Sequence, residues 1–279
     1  MRFTKMHGIG NDYVYVDCTK TELQDPAEIA RFVSNRHFGI GSDGLILIKS
    51  SDVADFEMEM YNADGSRGKM CGNGIRCVGK YVYDHGMTDR TVITVETLAG
   101  IKTLQLFPEN GKVRRVRVNM GRPELKPDLI PVRWEEGKDR IAGERFETAG
   151  RVWDITCISM GNPHCVVPVD DPAAVPIEQI GPCFEHADLF PEQVNTEFIR
   201  VDDRSHVTMR VWERGSGETF ACGTGACAVA AACVIRGWTD RNVTVSLRGG
   251  DLQIEWNEEE DTVYMTGEAE TVFEGEWPD

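Results

Sequence analysis

The feature that most constrains this chain is a phrase it uses twice. Cys71-Gly72-Asn73-Gly74 returns as Cys222-Gly223-Thr224-Gly225, 151 residues later. The same offset lays Asn11 on Asn162 and Asn62 on Glu213, and similar strand-like runs, Phe56 to Tyr61 and Val207 to Trp212, precede them. Downstream, Thr94-Val95-Glu96-Thr97 falls near Thr244-Val245-Ser246-Leu247, with about one residue of slippage before the turns Ala99-Gly100 and Gly249-Gly250. Several polar landmarks in register at one offset indicate internal duplication. The expected fold is mixed α/β (α+β), with two pseudo-symmetric domains. Each is a curled mixed sheet or barrel around a central helix, with the active site in the cleft between them. The halves are expected at 1–118 and 119–262, the second copy of the plan starting near residue 151. Gly121 to Gly150, with Pro123, Pro127 and Pro131, reads as a crossover with an added strand. The C-terminal stretch 262–277 reads as strand that packs back onto the first half.

Local patterns fill in this plan. Phe3 to Met6, Tyr13 to Val16, Leu45 to Ile48 and Phe56 to Tyr61 read as strands. Pro26 to Asn35 reads as a helix, with Asp25 as N-cap and proline at the first helical position. Each cysteine of the repeated phrase stands before a helix, Gly74 to His85 and Gly225 to Arg236, closed by Gly86 and Gly237. The second of these is apolar on every side, from Ala226 to Ile235, and should be buried on every side. The first carries Arg76, Lys80 and Asp84 and is expected to be less enclosed.

Composition excludes several classes of function. Against 30 basic residues stand 46 acidic ones, a formal charge of −16, which disfavours nucleic acid and anionic membrane as partners. No run approaches the roughly 18 apolar residues of a membrane span. No apolar segment follows Arg2 to Lys5, so a signal peptide is not expected and a cytoplasmic location is. Nine cysteines without a CxxC pair read as thiols, with no metal site. Cys18, Cys157, Cys165, Cys183 and Cys233 are expected to be small buried hydrophobes.

Cys71 and Cys222 are different, because a helix start favours the thiolate through unsatisfied N–H groups and the positive end of the dipole. Glycines at 72, 74, 223 and 225 let the backbone approach a ligand, and first-turn N–H groups can hold a carboxylate. Two such thiols on opposite faces of one α-carbon could exchange its proton with inversion. One would act as base and the other as acid, sharing a proton as a coupled pair. The enolate-like charge that develops on the carboxylate needs preorganised donors. A redox dithiol and a non-catalytic amino-acid-binding protein are the competing readings.

Several segments resemble the diaminopimelate epimerase family. They are Met6-His7-Gly8-Ile9-Gly10-Asn11-Asp12, Phe38-Gly39-Ile40-Gly41-Ser42-Asp43-Gly44, Tyr61 to Ser66 and Cys71 to Cys77. In the second half they are Met160-Gly161-Asn162-Pro163-His164-Cys165, Trp212 to Thr219, Ala221 to Ala226 and Tyr264 to Ala269. The resemblance spans nearly the whole chain. It implies an isomerase of the lysine and peptidoglycan precursor route that interconverts LL- and meso-diaminopimelate without pyridoxal phosphate or metal, as a homodimer. It implies Cys71 and Cys222 as the acid/base pair, assisted by His164 and Glu213. It further implies Gly72, Asn73, Gly223 and Thr224 as backbone contacts to the reacting carboxylate. Asn11, Asn62, Asn162, Asn195, Glu213 and Arg214 are then side chains around the substrate. Their acceptors and guanidinium suit a distal ammonium and carboxylate, which proline-type substrates lack. Gly44 departs from members that carry glutamine there, and it falls on Asn195 at the repeat offset.

Overall fold

The repeat offset holds element by element. The computed structural model describes residues 1–135 and 137–277. Its contacts divide the chain into two units, Met1–Asn119 with Thr266–Asp279, and Met120–Met265. The first unit runs β1 (Arg2–Gly8), β2 (Asn11–Asp17), α1 (Pro26–Ser34), β3 (Gly44–Lys49), β4 (Phe56–Asn62) and β5 (Arg67–Gly68). It continues with α2 (Gly72–Asp84), β6 (Val92–Glu96), β7 (Lys102–Glu109) and β8 (Lys112–Gly121). Between the copies comes the added strand β9 (Ala142–Thr148). The plan then returns as β10 (Arg151–Ser159), β11 (Pro163–Pro168), α3 (Ile177–Glu185), β12 (Asn195–Asp203), β13 (His206–Glu213) and β14 (Gly217–Glu218). It closes with α4 (Gly223–Ile235), β15 (Asn242–Leu247), β16 (Gly250–Asn257), β17 (Thr262–Glu268) and β18 (Glu270–Glu276).

Pairing repeats as well. In the first unit β2 runs parallel to β3, β3 antiparallel to β4, and β4 parallel to β6. In the second, β11, β12, β13 and β15 follow the same rule. Val14 pairs with Leu45, and at the offset Cys165 pairs with Thr196; likewise Leu45 faces Tyr61 and Thr196 faces Trp212. Phe56 pairs with Val95 while Val207 pairs with Val245, which locates the one-residue slip in the strand after the cysteine helix. β18 pairs antiparallel with β1.

Each sheet is covered on both faces, which is why its central strands are nearly continuously apolar. In the first unit α1 packs on one face with Val14, Val16, Leu45, Leu47 and Tyr61. α2 lies against β1, β2 and β7, strands from both ends of the row, so the sheet curls around it. α4 does the same against β10, β11, β12, β15 and β16. Gly225 to Cys233 is buried throughout, as an all-apolar helix requires.

Four sequence expectations need correction. α2 is not less enclosed: Arg76 is fully buried and Lys80 is 6% exposed. Their charges are satisfied rather than solvated. Arg76 donates to the carbonyls of Gly72 and Glu268 and to Asn73 Oδ1, and Lys80 to Asp84 and the Val113 carbonyl. Asp25 is not a side-chain cap. It adopts φ 49°, a left-handed conformation that aspartate tolerates, and its carbonyl accepts from the Glu28 and Ile29 N–H groups. Cys183 is exposed and Cys18 only half-buried, because Cys183 lies on the outer face of α3, where its thiol meets the Gln179 carbonyl. Both cysteine helices begin two residues earlier than the glycine spacing suggests, which makes the cysteines themselves the N-caps.

Candidate active site

An N-cap residue has extended backbone and turns its side chain back over the first turn. Cys71 does so at φ −125°, ψ 119°, and Cys222 at φ −122°, ψ 108°. Each sulfur accepts from the N–H three residues on, Gly74 at 3.3 Å and Gly225 at 3.4 Å. Both sulfurs therefore lie at the positive end of a buried helix, among N–H groups that an anion could use.

Around Cys71, Asn11 is the organising side chain. Its Oδ1 lies 3.2 Å from the Cys71 sulfur and 3.3 Å from Asn73 Nδ2, while its Nδ2 donates to Asp43 at 2.7 Å. Asp43 is held beside Asp12 by Arg36, and burial followed by the Asp12 charge pushes its carboxyl above the usual range. Tyr13 is buried close by; burial first, then the neighbouring Cys71, raises its phenol well above the ordinary value. Asn62 is exposed at the end of β4 and donates to Ser66 Oγ at 3.0 Å. At Gly44 a Cβ would collide with the Tyr61 carbonyl and come within 2.8 Å of the Tyr13 ring. No side chain fits there without moving β4, so this chain could not carry the glutamine.

Around Cys222 the groups are more acidic. Thr224 Oγ1 lies 3.6 Å from the sulfur and accepts from Asn162 Nδ2 at 3.3 Å. Asn162 Oδ1 lies 3.0 Å from His164 Nε2, and His164 Nδ1 lies 2.6 Å from Glu197 Oε1, with His164 and Glu197 both fully buried. Glu213 accepts from the Thr219 hydroxyl; burial first raises its carboxyl, with the Thr219 and Cys222 hydrogen bonds acting against it. Burial, then the Glu213 and Glu197 charges, pushes the Cys222 thiol well above its usual value, against the pull of Thr224 and the Gly225 N–H. Burial and the two carboxylates thus favour the thiol of Cys222 over its thiolate. Asn195 is 3% exposed and committed to backbone, donating to the Pro163 carbonyl at 2.7 Å and accepting from the Arg214 N–H at 3.0 Å. Arg214 is exposed, with its guanidinium on the Glu192 carbonyl at 2.9 Å.

The structure thus gathers Asn11 and Asn73 at Cys71, and Asn162, Thr224, His164 and Glu213 at Cys222. Asn62 and Arg214 lie at strand ends, in contact with neither sulfur by any hydrogen bond described above. Sequence reasoning missed Asp43, Tyr13 and Glu197. Glu197 had a signal: an acid between Thr196 and Phe198 in a buried strand, where the repeat offset has Ile46.

The sequence profile described as Diaminopimelate epimerase matches residues 3–126 and 156–272. A diaminopimelate epimerase of Acetivibrio thermocellus is 58% identical over 276 residues, covering 99% of this chain and 98% of that protein. One from Methanococcus maripaludis is 56% identical over 276 residues, covering 99% of each. Among solved structures, a Bacillus anthracis phenazine biosynthesis protein of the PhzF family superposes with TM-score 0.72 at 19% identity, covering 100% of this chain and 99% of that one. That likeness concerns the fold alone.

Proposed function

This chain belongs to the diaminopimelate epimerase family, and we propose that it interconverts LL- and meso-diaminopimelate by proton exchange between Cys71 and Cys222. The family needs no cofactor. The observation that carries the residue assignment is the equivalence of the two sulfurs. Each is the N-cap of a buried helix and each accepts from the N–H three residues on.

In the LL direction Cys71 is the thiolate. The Cα–H bond breaks, its electron pair delocalises into the carboxylate, and the proton forms an S–H bond on Cys71. The Cys222 S–H bond then breaks and a new Cα–H bond forms on the opposite face. The thiol at Cys222, favoured by burial and two carboxylates, suits this acid role. After turnover the two sulfurs have exchanged protonation states, so the product form of the enzyme is the one that accepts meso substrate. The Gly72, Asn73, Gly223 and Thr224 N–H groups, at two helix starts, hold the carboxylate as charge builds on it. Asn11 and Asn162 lie beside the sulfurs and contact the reacting amino acid. Asn62, Asn195 and Arg214 serve the distal end, Asn195 by fixing the Arg214 backbone. Glu213 stands beside Cys222 and assists it. His164 supports proton traffic at Cys222. The enzyme acts as a cytoplasmic homodimer. Among the described residues no helix is long and apolar enough to cross a membrane.

Incubation with LL-diaminopimelate in deuterated water should place deuterium at the α-carbon of meso product. Absence of exchange, or full activity after Cys71→Ala, would overturn the reading.

A further inference from the structure

Two residues after each site asparagine, both copies place a polar side chain that turns back toward it. In the second copy His164 pairs with Asn195 on the neighbouring strand, and its Nε2 meets Asn162 Oδ1 at 3.0 Å. At the repeat offset these three residues become Tyr13, Gly44 and Asn11. The Tyr13 hydroxyl has the Asn11 side chain and the Cys71 sulfur as its hydrogen-bonding neighbours. In the second copy the route from ring to sulfur runs through Asn162 and Thr224, whereas in the first the phenol adjoins the sulfur directly. Gly44 makes the difference. A Cβ there would come within 2.8 Å of Tyr13 Cε1 and collide with the Tyr61 carbonyl, so the ring lies over a position kept bare. Asn195 fills the equivalent position with a side chain committed to the Pro163 carbonyl and the Arg214 N–H.

Surroundings make the phenol a donor. Tyr13 is 5% exposed, and burial followed by the neighbouring Cys71 raises its hydroxyl well above the ordinary value. It therefore keeps its proton across the range in which thiols titrate. Asn11 has the opposite character. Its Nδ2 is held by Asp43 at 2.7 Å, which turns Oδ1 toward the Cys71 sulfur at 3.2 Å and Asn73 Nδ2 at 3.3 Å. An oxygen acceptor there receives the S–H of a thiol and repels a thiolate. A thiolate at Cys71 calls for donors, and beside the Gly74 N–H at 3.3 Å stands the Tyr13 hydroxyl.

We propose that the Tyr13 hydroxyl is the side-chain donor that stabilises Cys71 as thiolate, and that Gly44 is bare so that the ring can reach the sulfur. As thiol, Cys71 donates to Asn11 Oδ1; as thiolate, it accepts from Tyr13. Tyr13 keeps its own proton throughout, so it tunes the sulfur without serving as acid or base. The ionisable groups around the pair are Asp43 ahead of β3, Asp12 and Tyr15 on β2, and Cys77 and Arg76 on α2. Lys5 on β1 and Arg36 after α1 stand behind Asp12. The proposal takes its purpose from the epimerase reading, but its test needs no turnover.

The test is a pH titration of Cys71 alkylation. Iodoacetamide reacts with thiolate, and the tryptic peptide Met70–Arg76 carries Cys71 as its one cysteine, so mass spectrometry follows that sulfur alone. Tyr13→Phe keeps the ring and removes the donor. The midpoint of Cys71 labelling should then rise by about half a pH unit or more, a loss of thiolate of about threefold or more below the midpoint. Exposed Cys183 should keep its wild-type midpoint. A ring-fluorinated tyrosine at position 13, a more acidic phenol and a stronger donor, should move the Cys71 midpoint the other way. In Tyr13→Phe the acid limb of kcat/KM for LL-diaminopimelate should follow the midpoint to higher pH. An unmoved midpoint would assign Tyr13 to packing alone, and a midpoint that falls would mean that the hydroxyl serves the thiol; either result overturns the proposal. If Tyr13→Phe does not fold, the direction of the shift in the fluorinated protein decides. A wild type that leaves the α-proton of LL-diaminopimelate unexchanged would count against the epimerase reading instead, with the Cys71 midpoint still judging this one.

Discussion

Replacing Gly181 with alanine should destabilise the second unit although it improves a helix. Gly181 lies within α3, where alanine is worth about 1 kcal/mol over glycine. A Cβ there would collide with the Trp212 indole, coming within 2.8 Å of Cε3 and closer still to Cγ and Cδ2. The ring is rigid and pinned, since its Nε1 donates to Glu185 Oε2 at 2.7 Å. Overpacking costs about 1–3 kcal/mol, and displacing the indole also weakens a charge-assisted bond worth about 1.5–3 kcal/mol. The net expectation is a loss of about 2 kcal/mol. The first copy supplies the control: Ala30 occupies the Gly181 position and packs in one cluster with Tyr61, the counterpart of Trp212. Gly181→Ala combined with Trp212→Tyr should therefore lose less than the two single changes added together, with a coupling of about 1 kcal/mol or more. Urea unfolding followed by circular dichroism measures all four corners of the cycle. A Gly181→Ala protein as stable as wild type, or strict additivity, would refute the reasoning. Activity should fall too, because Glu185 Oε1 accepts from the Gly215 N–H and so holds the loop after Glu213 and Arg214.

Asp12 is held below the usual carboxylate range; burial works against this, but Arg36 and Lys5 outweigh it. A depressed folded value stabilises above the unfolded pKa of about 3.9 and is lost as pH falls through the folded value. Asp12→Asn should thus cost about 3 kcal/mol at neutral pH, by leaving the Lys5 ammonium, 8% exposed and 2.5 Å from the carboxylate, with the Gly41 carbonyl but no counter-charge from Asp12. The deficit should shrink in acid, and a pH-independent deficit in urea titrations would contradict the assignment. Iodoacetamide at pH 8 should label exposed Cys183 well before Cys222, which burial and two carboxylates keep as thiol; peptide mass spectrometry showing equal rates would rule this out. Lys80→Met should cost about 3–5 kcal/mol by leaving the buried Asp84 carboxylate without its cation, and a neutral result in thermal unfolding would show that the pair is not buried as described.

What was legible in the sequence was whatever repeats or has a period. The offset showed that the two halves share one plan, and the structure bears this out pair by pair, with Val14–Leu45 repeated as Cys165–Thr196 and Leu45–Tyr61 as Thr196–Trp212. An all-apolar run sufficed to enclose α4. The enclosure of α2 was illegible because Arg76 is satisfied partly by the carbonyl of Glu268, 192 residues away, and local pattern cannot anticipate so distant a partner. Asp43 was illegible for the same reason, since its importance lies in a bond to Asn11 across 32 residues. Glu197 was legible in principle, as the position where an otherwise faithful copy exchanges isoleucine for glutamate.

Duplication separates two demands that a single domain confounds. Where the copies agree, as in the N-cap cysteine and the small residue beneath it, the common plan is at work. Where they differ in packing alone, as with Ala30 and Gly181, one change is matched by another, Tyr61 becoming Trp212. Tyr13 with Ile46 against His164 with Glu197 fits neither pattern, because the chemistry of the pair changes and not its packing alone. A two-base epimerase needs one thiol and one thiolate at rest, and two identical half-sites would leave that choice to chance. A tyrosine and an isoleucine in one copy, against a histidine and a glutamate in the other, give the two sulfurs unequal surroundings on an equal frame.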